Sequence, residues 1–189
     1  MMTKLIFITH PEVEIDPDRP ITDWKLAPIG RARTKTFASH PLMSGVTAIW
    51  SSTERKAFET AEILAAPKAL GVRKQTDLGE NDRSATGFLP RDAFEAAADA
   101  FFTNSDHSFR GWERAVDAQD RVANAVRSIV ANHKSGDLAI ASHGAVGTLL
   151  WCHLMALPID RCHDQPSQGH YWCADLATLT PSSGWQSIG

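Results

Sequence analysis

Leu138-Ala139-Ile140-Ala141-Ser142-His143-Gly144 is a short apolar run that ends abruptly on a histidine and a glycine. Near the amino end, Leu5-Ile6-Phe7-Ile8-Thr9-His10 has the same plan. Neither run alternates with polar residues, so each reads as a strand buried on both faces, as a parallel sheet requires. Residues 46–50 form another such run, followed by Ser51-Ser52-Thr53-Glu54-Arg55. Working outward, helical patterns fill the gaps. Pro28 opens one to about residue 40, with proline in the first turn where its missing N–H costs nothing. Ser52 or Thr53 is expected to cap a second through about residue 64. Further helices are expected over 91–102, over 112–133 with its valines mostly on one face, and over 144–157, which is apolar all round and so buried. Residues 71–78, 171–180 and 185–188 read as strands, the last two as an antiparallel edge. Residues 11–27, rich in proline, and 79–90 read as loops. Strands alternating with helices give an α/β fold with a mostly parallel sheet and helices on both faces.

The chain has 189 residues, 43% of them hydrophobic, enough for one full core, and residues 1–189 are read as a single domain. Nineteen Lys and Arg stand against 22 Asp and Glu, a net charge of -3, so no nucleic-acid surface is expected. The longest apolar stretch, 145–157, is broken by Thr148 and His153 and is too short to span a bilayer. Residues 5–8 are too brief for a signal-peptide core. A cytoplasmic location with no membrane partner is therefore expected. Three cysteines make no disulfide framework, and Cys152-His153 and Cys162-His163 fit no zinc spacing, so no metal or other cofactor is expected.

His10, His143 and the Ser51–Arg55 segment all follow apolar runs. Open α/β sheets bind ligands outside the carboxyl ends of their strands, so these groups are expected to share one site. Two imidazoles and a guanidinium suit a phosphoryl group: a neutral imidazole can attack phosphorus, and fixed positive charge can hold its oxygens. Each residue taken alone also has an ordinary reading. A buried histidine can be a satisfied core residue, and Arg55, within Glu54-Arg55-Lys56, suits a surface ion pair.

The ordered set of motifs resembles the histidine phosphatase superfamily, with its phosphoglycerate-mutase-like fold, a three-layer sandwich. The resemblance spans nearly the whole chain. It rests on His10 with Glu12 after the first strand, Ala27-Pro28-Ile29-Gly30-Arg31-Ala32, Ser51-Ser52-Thr53-Glu54-Arg55 with Thr60-Ala61-Glu62-Ile63-Leu64 behind it, Leu78-Gly79-Glu80, and Ser142-His143-Gly144. It implies a metal-independent phosphatase acting on a small phosphorylated substrate, with His10 as the phosphorylated nucleophile. His143 would stabilise the transferring group and Glu80 would act as the acid. Arg55 would clasp two phosphate oxygens through its fork, and amides near Gly144 would face the anion.

The chain departs from that pattern at its first motif. Thr9 stands where the family has an arginine and Pro11 where it has glycine, while Asp16 falls about where many members place a polar residue facing the phosphate. Thr9 then offers the ligand only a neutral hydroxyl. Proline restricts His10 to extended geometry, which suits a strand end. Two readings of different class follow: a phosphatase working through a phosphohistidine, or a weakened or inactive relative that binds a phosphorylated ligand or regulates. The loops near 11–27, 79–90 and 160–170 are expected to set the ligand.

Overall fold

β1 (Lys4–Thr9), β2 (Val46–Ser51), β3 (Val72–Lys74), β4 (Asp137–Ser142), β5 (His170–Asp175) and β6 (Gln186–Ser187) make one sheet in the computed structural model, which describes residues 3–189. Their order across it is β3-β2-β4-β1-β5-β6. The pairs β2–β3, β2–β4 and β1–β4 are parallel, whereas β5 and β6 run antiparallel at one edge. The expected α/β architecture, mostly parallel with an antiparallel edge, is the one observed.

The helices are α1 (Pro28–Ala38), α2 (Arg55–Ala65), α3 (Arg91–Thr103), α4 (Ala115–Ala131) and α5 (Gly144–Leu154). Side chains alternate across β1. Leu5 and Phe7 enter one core with Phe101 of α3, Val122 of α4 and Leu149 of α5. Ile6 and Ile8 enter the other with Phe37 of α1 and Leu64 of α2. Both faces are thus covered, which is why the strand carries no polar alternation. Phe7 stacks on Trp172 with ring centroids 5.0 Å apart. α5 lies so close above them that a Cβ on Gly147 would come within 2.7 Å of the Phe7 ring.

Several boundaries moved. The strand expected over 71–78 shortens to β3, and Thr76–Leu78 forms a 3-10 turn. The helix expected from residue 112 begins at Ala115 because Trp112 turns inward, its indole N–H donating to the Thr86 hydroxyl at 2.9 Å. α5 ends at Leu154; Ala156 takes φ +54°, and Met155 and Leu157 are exposed. β5 stops at Asp175, whose carboxylate accepts from the Ala177 and Thr178 amides and turns the chain. α2 starts one residue later than a Thr53 cap requires: Glu54 is the cap residue, and its amide donates to the Ser52 hydroxyl at 3.2 Å. Among the described residues no helix is long and apolar enough to cross a membrane.

Candidate active site

Parallel register brings the two histidines together. Thr9 pairs with Ser142, so the next residue of each strand, His10 and His143, emerges side by side at the carboxyl edge. The His10 amide continues the ladder to the Ser142 carbonyl at 3.0 Å. The two rings meet edge to face, centroids 5.3 Å apart. His10 Nδ1 lies 2.9 Å from the Pro11 carbonyl, which accepts only and so fixes the proton on Nδ1. Nε2 is left without a partner among the described residues, the lone pair exposed to chemistry.

His143 has no exposed surface. Its Nε2 meets the Ser52 hydroxyl at 2.7 Å and a Glu54 oxygen at 3.3 Å, and its Nδ1 has no partner. Burial pushes both histidines well below 6.5. At His10 the neighbouring His143 and Lys56 add to the effect; at His143 the cations Lys56, Arg83 and Arg121 do. Both are therefore neutral in the free protein at neutral pH.

His10 borders a cavity of about 520 Å³ whose wall also includes Lys56, Glu80, Asn81, Gly144 and Gln165. Three loops supply much of the rest: Ile21 and Trp24, Arg83, and Arg161 with Asp164 to Gln168. These are the loops expected to set the ligand.

Arg55 is not brought to this cavity. It sits in the first turn of α2, its side chain 48% exposed, and Nε donates to Glu59 Oε1 at 2.9 Å. The reason is helical phase. Successive residues are about 100° apart, and Ala57, Thr60, Ala61 and Leu64 form the buried face of α2. Lys56 precedes Thr60 by one turn and shares that face; Arg55 precedes Glu59 and looks outward. Lys56 is only 3% exposed, and its ammonium donates to the Ile21 carbonyl at 2.9 Å and pairs with Glu54. The periodicity of α2 was the signal that could have found Lys56.

Glu80 does reach the cavity. One carboxylate oxygen accepts from the Val146 and Asn81 amides at 3.1 Å, and the other from Ala145 at 3.2 Å. The first-turn amides of α5, expected to face an anion directly, thus hold this carboxylate instead. Burial pushes the Glu80 carboxyl above 4.5, with Glu54 adding to the rise, against the lowering effect of Arg83 and of the backbone donors. Glu54, which sequence reasoning did not single out, ties the cluster together: it accepts from the Glu80 amide at 2.8 Å while pairing with Lys56. Asn81 is buried with Nδ2 unpaired on the cavity wall.

Thr9 is fully buried and does not border the cavity; its hydroxyl donates to Gln165 Oε1 at 2.6 Å. Gly144 borders the cavity and lies against Gln165. Asp16, expected near the ligand, pairs with Arg19 at 3.1 Å on a separate surface. His170 is buried behind Thr9, its amide donating to the threonine hydroxyl. Cys152 and Cys173 are buried and Cys162 is exposed.

A six-stranded α/β sheet thus brings two histidines together at its carboxyl edge. The chain belongs to the histidine phosphatase superfamily, branch 1, whose pattern matches residues 5–173. It is 24% identical over 168 residues to phosphoserine phosphatase 1 of Hydrogenobacter thermophilus, covering 85% of this chain and 80% of that one. Among solved structures it resembles mycobacterial glucosyl-3-phosphoglycerate phosphatase, determined with inorganic phosphate, at TM-score 0.80 and 19% identity over 98% of both chains. YhfR of Bacillus stearothermophilus aligns at TM-score 0.81 and 23% identity, over 95% of this chain and 94% of that one.

Proposed function

We propose that this protein hydrolyses a small phosphomonoester through a phosphohistidine on His10. The observation that carries the reading is the Nδ1 contact of His10 to the Pro11 carbonyl, which leaves Nε2 unprotonated on the cavity wall. In the first step Nε2 attacks phosphorus, the P–O ester bond breaks, and its electron pair leaves on the ester oxygen. Glu80 lies on the same wall and burial favours its protonated form, so it is the group to give that oxygen a proton. In the second step the Glu80 carboxylate takes a proton from water as the water oxygen attacks phosphorus and the N–P bond breaks. Lys56 and the unpaired Asn81 Nδ2 are donors for the phosphoryl oxygens. His143 is placed to gain a proton and offset charge when a phosphoryl group occupies His10. No step calls on a metal ion. The relatives that act on phosphoserine and glucosyl-3-phosphoglycerate, by their names, agree with a small phosphorylated substrate.

Hydrolysis of an aryl phosphate without added metal tests the reading. His10→Ala is expected to abolish turnover, and alkaline mass spectrometry of the wild type during turnover should find a phosphoryl group on His10. Full activity in His10→Ala would remove it as the nucleophile. A specific observation favours the second reading, a weakened relative that binds or regulates: Lys56, the cation nearest the cluster, is already paired with Glu54. Absence of turnover across a broad phosphomonoester panel would select it.

A further inference from the structure

Thr9, fully buried, and Gln165, half-buried, form a pair beside the nucleophile that the steps above do not use. Thr9 Oγ1 accepts from the His170 amide at 3.0 Å, and of the two acceptors within reach of its proton, Gln165 Oε1 at 2.6 Å is nearer than the His170 carbonyl at 3.2 Å. A hydroxyl has one proton, and spending it on the carbonyl end fixes the orientation of the carboxamide: Oε1 faces the strand and Nε2 faces away. Nε2 has no acceptor among the described residues. The backbone of Gln165 is fixed as well, since its amide donates to Asp164 Oδ1 at 2.8 Å and that oxygen also accepts from the Thr148 hydroxyl of α5 at 2.7 Å. The carboxamide lies directly on Gly144, where a Cβ would come 2.4 Å from Nε2. Gln165, Gly144 and His10 border one cavity.

We propose that Gln165 Nε2 donates to a phosphoryl oxygen of the ligand at His10, and that Thr9 is the positioning residue that aims it. The inference rests on the reading of the His10 cavity as a phosphate site. A residue from the far end of the chain thereby supplies a donor that the residue before the nucleophile, a short threonine, does not supply itself. The donor is neutral, so holding it ready costs no desolvation of a charge, and it is oriented before the ligand arrives. Gly144 has a second function in this arrangement: it leaves the space that the carboxamide occupies.

The test measures the dissociation constant of inorganic phosphate by calorimetry on the full chain, with aryl phosphate turnover beside it. Gln165→Ala is expected to weaken phosphate binding roughly ten- to hundredfold, the range for a hydrogen bond to a charged group. Thr9→Val should lose a similar factor and Thr9→Ser should restore it, because serine keeps the hydroxyl. The double variant should bind no worse than Gln165→Ala alone, since both changes remove one interaction. Gly144→Ala should reproduce the loss without lowering the melting temperature: alanine suits a first helical turn, and the obstructed atom is the end of a flexible side chain. Phosphate affinity within twofold of wild type in Gln165→Ala overturns the proposal, as do losses for Thr9→Val and Gln165→Ala that multiply in the double variant. Should the wild type turn over and bind phosphate while Gln165→Ala binds as tightly, this inference alone fails. Should the wild type neither turn over nor bind phosphate, the reading of the site fails and carries this one with it.

Discussion

Acidification should destabilise this protein through the two histidines of its site. Both are held neutral by burial, with pKa well below 6.5 in the folded state. The unfolded chain therefore binds protons that the folded one refuses, and stability must rise with pH through the window below 6.5 and be lost as pH falls through it. Each histidine contributes a slope of up to about 1.4 kcal/mol per pH unit. Integrated from about pH 7.5 to about 5.5, the two together cost at most about 3 kcal/mol. Glu80 acts the other way, because its raised pKa lets the folded state take a proton first, and it offsets part of that loss over the same interval. The net expectation is a loss of at most about 3 kcal/mol, a substantial part of the stability of a typical domain. The geometry also bars relief by double protonation. Two charges at the 5.3 Å ring separation repel by about 3 kcal/mol at an effective dielectric of about 20. Urea unfolding at several pH values, at constant m, measures the loss. His153, which is also pushed below 6.5, adds to the wild-type slope, so the isolating comparison is His10→Asn, whose slope should be shallower by the contribution of one histidine. An identical slope in wild type and His10→Asn, or histidine NMR titrations of His10 and His143 at ordinary values, would refute the reasoning.

Four further outcomes are expected. The kcat/KM profile should be bell-shaped and displaced to the acid side: activity rises with pH as His10 loses its proton below 6.5, and falls as Glu80 loses its proton above 4.5. A profile still rising at alkaline pH would remove Glu80 as the acid. Arg55→Ala should change kcat/KM less than about threefold and stability by no more than about 1 kcal/mol, as for an exposed ion pair. Lys56→Met should cost about a hundredfold in turnover, and the reverse order in steady-state kinetics would return the phosphate contact to Arg55. Gly30→Ala should lower stability by about 1 to 3 kcal/mol through overpacking, because a Cβ there would lie 2.4 Å from the Glu12 backbone carbonyl. An unchanged thermal midpoint would mean that α1 can withdraw from the loop after His10.

The sequence by itself determined the sheet, the helices around it and the pairing of His10 with His143. Continuous apolar runs can only be satisfied between two covering layers, and a histidine ending each of two adjacent parallel strands must emerge at the same edge. It also indicated Gly144, which follows His143 directly, and Glu80, through the resemblance of Leu78-Gly79-Glu80 to the family's acid-bearing segment. What tertiary structure decided was side-chain direction and long-range partnership. Arg55 and Lys56 are neighbours in sequence, but α2 turns them about 100° apart, so the lysine enters the cluster and the arginine pairs with Glu59 at the surface. Thr9 proved fully buried, its hydroxyl taken by Gln165, a residue 156 positions away whose loop returns over α5. Asp16 lies on another surface, where it pairs with Arg19. The period of α2 could have told Lys56 from Arg55, but spacing along a chain carries no trace of the contact between Thr9 and Gln165, which arises only when packing has fixed which faces meet.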